Sequence, residues 1–311
     1  MKKIQYLRVL ITEKCNLNCF FCHREGINTE KNIHLNHDDL ISCVHALYAI
    51  GIRKIKFMGG EPTLYPNLSK IIKKIKESYN DVDVSIISNG IARTELYDEY
   101  ISSGIDRINI SLHGIELNTF KHETNGSLKQ LNLAIENIKY INKCGKLGKI
   151  NYVLLKNVNE QEFHQVLDFI HNENIVLDVL NYLGIDDEEI KKYRYSFEEI
   201  ISIVSNYYSI ENSDIHLNKY SLPSKRLKLK GGGEINLKVT SLNETNFLKN
   251  CNNCNLKKYC VEGISAIRLT TGGEIKPCLF RNDLNYDLLT EIRRKNTTET
   301  IENLNKYLDK L

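Results

Sequence analysis

A chain of 311 residues, 41% apolar and 26% charged, can bury a large core and has the composition of an ordinary globular protein. Its 42 basic and 39 acidic side chains leave a net charge of +3, which carries no footprint of general nucleic-acid binding. No stretch approaches the ~20 apolar residues of a membrane-spanning helix, and Met1-Lys2-Lys3-Ile4-Gln5-Tyr6 lacks a signal-peptide run, so a cytoplasmic protein with no membrane partner is expected.

In chain order, residues 6–12 (YLRVLIT) read as a buried strand. The octet Cys15-Asn16-Leu17-Asn18-Cys19-Phe20-Phe21-Cys22 follows at its C-terminal end, with three thiols in a C-x3-C-x2-C pattern. Helical spacing covers residues 37–50, and residues 54–57 form a second strand ending in Gly59-Gly60-Glu61-Pro62. Helix 67–78 leads to strand 82–87 and Ser88-Asn89-Gly90; helix 94–103 leads to strand 107–112, which ends in Ser111 and His113. Helix 128–142, strand 149–155, helix 161–172, strand 176–182 and helix 197–208 complete six strand–helix alternations. Short crossovers of this kind imply parallel strands with right-handed connections. Six repeats are too few for a closed eightfold barrel, so the expected fold is α/β, a partial (β/α)6 TIM-like barrel. The rim of such a fold, where strands end, carries its active site, and the suspect motifs all fall there.

Beyond residue 212 the texture changes, which divides the chain into a barrel over 1–212 and a C-terminal part over 213–311. Short β segments at 215–220, 227–230 and 235–240 surround a Gly231-Gly232-Gly233 turn. Cys251, Cys254 and Cys260 come next, then a hairpin over 266–280 that turns at Gly272-Gly273 and carries Cys278, then a helix from 288 to about 308. Seven of the nine cysteines thus fall in two groups, while Cys43 and Cys144 stand apart; tight grouping in a reducing compartment points to metal.

Three cysteines on one loop leave one iron of a four-iron cubane open to a chelating small molecule. Free thiols, or a zinc site completed by His23, are the alternatives. Gly59 and Gly60 permit close backbone approach, and Glu61 with nearby carbonyls suits an ammonium group; a plain turn is the alternative. Ser88, Asn89 and Ser111 suit hydroxyls and a carboxylate, or are turn residues. His113 has the chemistry to cap, bind or transfer protons. Cys251, Cys254, Cys260 and Cys278 fit either a zinc ribbon or a second four-iron cluster, with or without an open iron.

These motifs together resemble the radical S-adenosylmethionine (SAM) superfamily. Within it the chain is similar to the MoaA type, the GTP 3′,8-cyclases of molybdenum-cofactor biosynthesis, with a SPASM/twitch-type auxiliary-cluster domain. The likeness runs through 7–9, 15–26, 54–64, 88–90, 107–112, 149–159 and 267–282. It implies a [4Fe-4S] cluster on Cys15, Cys19 and Cys22, with SAM held by Gly59, Gly60, Glu61, Pro62, Ser88, Asn89 and Ser111, and with Phe21 and Leu183 flanking its adenine. It also implies a second [4Fe-4S] cluster on Cys251, Cys254, Cys260 and Cys278, substrate-binding cations at Arg8, Lys56, Lys149 and Arg268, and an electron donor such as flavodoxin or ferredoxin. The chain departs from the type where Lys56 replaces an arginine, where Ala266 replaces the first arginine of an Arg-x-Arg, and in the C-x2-C-x5-C start of its second cysteine group. It also ends in Asp309-Lys310-Leu311 where the type ends in Gly-Gly. The expected activity is reductive SAM cleavage followed by hydrogen abstraction from a small, anionic, nucleotide-like substrate, leading to cyclisation or C–C bond formation. The alternatives are a peptide maturase making thioether or C–C crosslinks, for which no leader-binding domain is expected ahead of residue 15, and a non-catalytic iron–sulfur protein.

Overall fold

The structure, a computed structural model, describes residues 4–26, 35–183, 186–216, 223–238, 265–294 and 296–311, with Cys251, Asn252, Cys254, Asn255, Lys257 and Cys260. The six expected strands are β1 (Tyr6–Thr12), β2 (Lys54–Gly59), β3 (Asp83–Ser88), β4 (Arg107–Ser111), β5 (Leu147–Leu154) and β6 (Val176–Asn181). They pair in parallel and in sequence order. The crossovers are α1 (His37–Ala49), α2 (Leu68–Ser78), α3 (Thr94–Ser102), α4 (Leu117–Thr124), α5 (Leu128–Lys143) and α6 (Phe163–Asn172), and α7 (Asp187–Tyr193) and α8 (Phe197–Tyr207) follow β6. Helices α4 and α7 were not expected. Helix α4 buries a single apolar side chain, Phe120, so its sequence carries no apolar stripe to read.

Each strand of the wall obeys a period of two. Leu7 and Val9, Ile55 and Phe57, Ile108 and Ile110, and Ile150 and Tyr152 are all buried in the layer shared with the helices. The alternate positions, among them Arg8, Lys56, Asn109 and Lys149, line a cavity inside the barrel. One face of the wall is therefore a hydrophobic core and the other a polar chamber.

Residues after 209 supply β7 (Ile210–His216), β8 (Ser224–Leu229), β9 (Glu234–Lys238), β10 (Ile267–Leu269), β11 (Glu274–Lys276) and β12 (Tyr286–Asp287). All twelve strands form one sheet, in the order β12-β11-β10-β1-β2-β3-β4-β5-β6-β9-β8-β7. Strand β9 lies parallel beside β6 and β10 parallel beside β1, so the parallel wall extends past the six expected strands on both edges. The boundary expected near residue 212 falls inside β7, and the strands on either side of it share the sheet. The short segments expected at 215–220, 227–230 and 235–240 begin earlier, at Ile210, Ser224 and Glu234; residues 217–220 and 239–240 lie outside those described. The single helix expected from 288 is two, α9 (Leu288–Arg294) and α10 (Thr297–Lys310). The break follows from Asn296, whose side chain accepts the Glu299 amide at 2.9 Å and so starts a new helix.

Candidate active site

The cysteine loop leaves β1 at the rim and is held by backbone bonds. The Asn18 amide donates to the Thr124 carbonyl (2.9 Å) and the Phe20 amide to the Glu123 carbonyl (3.1 Å), both at the end of α4. Asn16 pins the other side: its amide nitrogen donates to the Ile91 carbonyl (3.0 Å), and its side-chain oxygen accepts from Asn89 (2.6 Å). Neither Asn16 nor α4 was among the expected site features. Asn16 gave a weak signal, as a polar residue wedged between ligand positions, and α4 gave none.

Gly59 and Gly60 pack against this loop. A Cβ at Gly59, which has φ +142°, would stand 2.2 Å from the Thr12 carbonyl oxygen, and a Cβ at Gly60 would stand 2.2 Å from that of Lys14. Close approach is thus required by the chain's own backbone, where the sequence had suggested a ligand. The Glu61 carboxylate is buried and accepts from the Thr63 amide (3.0 Å), the Thr63 hydroxyl (2.7 Å) and the Asn89 amide (2.7 Å). Burial raises its pKa, and the Asn89 and Thr63 hydrogen bonds oppose that rise. The motif ties the ends of β1, β2 and β3 together.

A cavity of about 260 Å³ opens over this junction. Cys15, Cys19, Cys22, Phe21, Gly59, Gly60, Glu61, Ser88, Asn89, Ser111 and Leu183 all line it, so it gathers the expected cluster and SAM residues. Pro62 does not; it is buried at the first position of a short helical turn. The Phe21 ring stands 5.1 Å from that of His113, which also lines the cavity. Burial brings the His113 imidazole down to about 4, and its Nδ1 has no hydrogen-bond partner among the described residues.

The three cysteines lie within one another's field, and two of them resist ionisation. Burial pushes the Cys19 thiol up to about 12, with further contributions from Cys22, Cys15 and Glu123, and burial likewise raises Cys15. Thiols that resist ionisation become thiolates when a cationic metal centre compensates them. His23 is engaged otherwise, since its Nδ1 accepts the Glu25 amide at 3.1 Å. Among the described residues no three His, Cys, Asp or Glu side chains close around a single metal ion.

Below the rim lies a second cavity of about 550 Å³. Three of the four expected substrate cations, Arg8, Lys56 and Lys149, line it. Arg268 is buried beside them, its Nε donating to Glu25 Oε2 at 2.7 Å. Glu25 also lies 4.0 Å from Arg8. Burial alone would raise the Glu25 carboxyl, but Arg268, His23 and Arg8 outweigh it and hold it below the ordinary range. Lys149 is paired with Asp178, Arg107 with Asp83 (2.5 and 2.6 Å) and Arg226 with Glu234 (3.0 Å). Lys56 is buried, and desolvation, then Lys149, Arg8 and Arg107, drive its pKa well below the usual lysine range. Lys54 is likewise brought down to about 8 by burial. Asp178, Asp83 and Arg107 were not among the expected site residues. Their signal was present as charged residues at alternate positions of otherwise apolar strands.

Cys251, Cys254, Cys260 and Cys278 are each partly buried. The Cys254 amide donates to the Cys251 carbonyl (3.2 Å), the Lys257 amide to the Cys254 carbonyl (3.0 Å) and the Cys260 amide to the Lys257 carbonyl (3.2 Å). Arg281 is paired with Asp283, whose hydrogen bond raises the guanidinium's pKa, and the Cys278 and Cys251 thiols add weakly to that rise.

Residues 9–170 match the family model of the radical SAM superfamily. A probable GTP 3′,8-cyclase of Methanococcus aeolicus is 31% identical over 294 residues, covering 94% of this chain and 91% of that protein. A probable GTP 3′,8-cyclase of Sulfolobus acidocaldarius is 30% identical over 304 residues, covering 97% and 90%. Among solved structures, Streptococcus suis SuiB bound to S-adenosylmethionine superposes with a TM-score of 0.64 at 16% identity, over 92% of this chain. The chain spans 63% of the SuiB chain, and the likeness is one of fold. No helix among the described residues is long and apolar enough to cross a membrane. The matched rim motifs, the TIM-like wall and the full-length relatives converge: the chain belongs to the radical SAM superfamily and is a MoaA-like enzyme of it.

Proposed function

We propose that the protein cleaves SAM reductively and uses the resulting radical on a small, anionic, nucleotide-like substrate held in the barrel cavity, leading to cyclisation or C–C bond formation. The observation that carries this reading is the juxtaposition of the two cavities. The rim cavity holds the three cysteines, the barrel cavity holds the cations, and His23, Glu25, Met58, Ile87, Leu180 and Lys238 line both. The relatives named as probable GTP cyclases support a nucleotide.

Cys15, Cys19 and Cys22 would hold a [4Fe-4S] cluster and leave one iron for SAM. When bound, the pair supplies one-electron cleavage of the sulfonium to methionine and a 5′-deoxyadenosyl radical, which takes a hydrogen atom from substrate. The chain's part is placement and shielding. Glu61, by accepting from the Asn89 and Thr63 amides, fixes the ends of β2 and β3 beside the cavity. Ser88, Asn89 and Ser111 offer hydrogen bonds at the strand ends, and Phe21 and Leu183 offer flat and branched apolar surface for an adenine. Met58, Ile87 and Leu180 line both cavities and would offer apolar surface on the path of a radical between them. Cys251, Cys254, Cys260 and Cys278 would hold a second cluster, and flavodoxin or ferredoxin would supply electrons.

A second reading, a peptide maturase, is favoured by one feature, the C-x2-C-x5-C start of the distal cysteine group. The SuiB fold, seen in one structure with its precursor peptide SuiA, accommodates it. Both readings require SAM cleavage. Reconstituted, reduced protein should form 5′-deoxyadenosine, and a guanine nucleotide should raise the rate and yield a new product. Absence of 5′-deoxyadenosine would sink the enzyme, and turnover stimulated only by a peptide would select the second reading.

A further inference from the structure

We infer that Tyr97, buried in α3 and lining neither cavity, is a positioning residue for SAM that acts through the Ser88 hydroxyl on the Glu61 carboxylate. The inference rests on the SAM-cleaving reading above and adds to it a residue from behind the wall of the site.

The phenol reaches the site through one atom. Tyr97 Oη stands 3.0 Å from Ser88 Oγ, and the Gly90 amide donates to the same oxygen at 3.1 Å. Burial, then the charge of Glu61, keeps the Tyr97 phenol protonated far above its ordinary range. The Ser88 hydroxyl has one proton and two lone pairs, whereas an ionised carboxylate only accepts. Burial raises Glu61, and hydrogen bonds from Asn89, Thr63 and then Ser88 oppose that rise. The Ser88 proton therefore turns to Glu61, its lone pairs take the Gly90 amide and the phenol, and the Tyr97 hydroxyl is the donor. Each bond of such a chain polarises the next. Its far end is the carboxylate that lines the rim cavity and suits the ammonium group of SAM.

Two features isolate this hydroxyl from the packing around it. Tyr100 lies on the same helix, is as fully buried as Tyr97, and meets its ring edge-on at 6.3 Å. The Tyr100 hydroxyl has no hydrogen-bond partner among the described residues. The turn after β3, in addition, is clamped by Asn137 of α5, which donates to the Gly90 and Ala92 carbonyls (both 2.8 Å) and accepts from the Thr94 hydroxyl (2.8 Å). Removing the Tyr97 oxygen thus leaves its ring in the core and the turn on its clamp, and takes from Ser88 only a donor.

The test is equilibrium dialysis against reconstituted, oxidised full-length protein, with SAM and with 5′-methylthioadenosine, which lacks the ammonium and carboxylate. Tyr97→Phe should weaken SAM about fivefold and leave 5′-methylthioadenosine within about twofold. In turnover it should raise the KM for SAM and retain kcat. Tyr100→Phe should change neither ligand. Ser88→Ala should weaken SAM at least as much as Tyr97→Phe, and the double variant should bind it no more weakly than Ser88→Ala, as expected of two residues acting in series. Iron content and thermal melts establish that each variant is loaded and folded. Unchanged SAM affinity in Tyr97→Phe, equal weakening of both ligands, an equal effect of Tyr100→Phe, or additive losses in the double variant overturns this inference and leaves the SAM-cleaving reading intact. Failure of the loaded wild type to bind SAM overturns both.

Discussion

The two cavities share a partition of six side chains but hold their polar groups in different ways. At the rim, position comes from backbone. The cysteine loop hangs on carbonyls of α4, Gly59 and Gly60 are pressed onto Thr12 and Lys14, and Glu61 collects amide hydrogens. In the barrel, position comes from side-chain ion pairs crossing between strands, such as Arg107 with Asp83 and Lys149 with Asp178. A rim built from main chain tolerates little change of shape. A chamber built from charge pairs tolerates exchange of side chains on a fixed wall, so the two cavities are free to vary separately.

The sharpest break of that comparison is at the cysteines. Cys22→Ala should abolish 5′-deoxyadenosine formation and halt the reaction at the rim, whereas Cys278→Ala should keep uncoupled SAM cleavage and lose product. Equal loss of cleavage in both variants would collapse the division of labour. Next in size, Gly60→Ala drives a methyl into the Lys14 carbonyl and should cost about 2–3 kcal/mol in a urea melt, with loss of SAM binding. An unchanged midpoint would mean that the rim yields more readily than its contacts imply.

A third test concerns pH. Burial, opposed by Asn159 and reinforced by Glu162, holds the Glu123 carboxyl at about 8. The folded value exceeds the unfolded one, so the unfolded state loses its proton first as pH rises. The contribution to stability is full below about pH 4.5 and is lost progressively towards pH 8. Glu123→Gln keeps an acceptor for Asn159 and removes this slope. It should match the wild type near pH 4.5 and exceed it by on the order of 2 kcal/mol at pH 8. Parallel pH profiles would count against a neutral Glu123 behind the loop. The smallest effect is expected at Ser127, which forms a capping box with Gln130; Gln130 in turn donates to the Asn16 carbonyl at 3.3 Å. Ser127→Ala should cost about 1 kcal/mol in the melt and loosen the loop without removing SAM cleavage.

The order of strands and helices was readable because each wall strand carries a run of β-branched and apolar residues between turn signals, as in Val84–Ile87 and Ile108–Ile110. Cys15, Cys19 and Cys22 were readable because a cluster needs those thiols within one loop. The pairing of β10 with β1 was not, because parallel partners 260 positions apart leave no local trace. Asp178 was overlooked for a related reason. Its partner Lys149 lies on the neighbouring strand, and only the alternation of polar residues along β5 and β6 hints that both face inward. Glu25 sits at φ +51° next to Arg24 at φ +46°, a backbone bend that points its carboxylate to Arg268, and no rule of spacing reveals that bend.

The pairing of Leu7 with Ile267 sets a timetable for synthesis. Strand β1 emerges from the ribosome early, but one of its two edges has no partner until some 260 further residues have been added, roughly ten to fifty seconds at typical elongation rates. An unpaired parallel edge is a template for the wrong neighbour during that interval. The loop with Cys15, Cys19 and Cys22 is carried on this strand, so its thiols wait on a half-walled barrel. Translation speed thus sets how long that edge stays open.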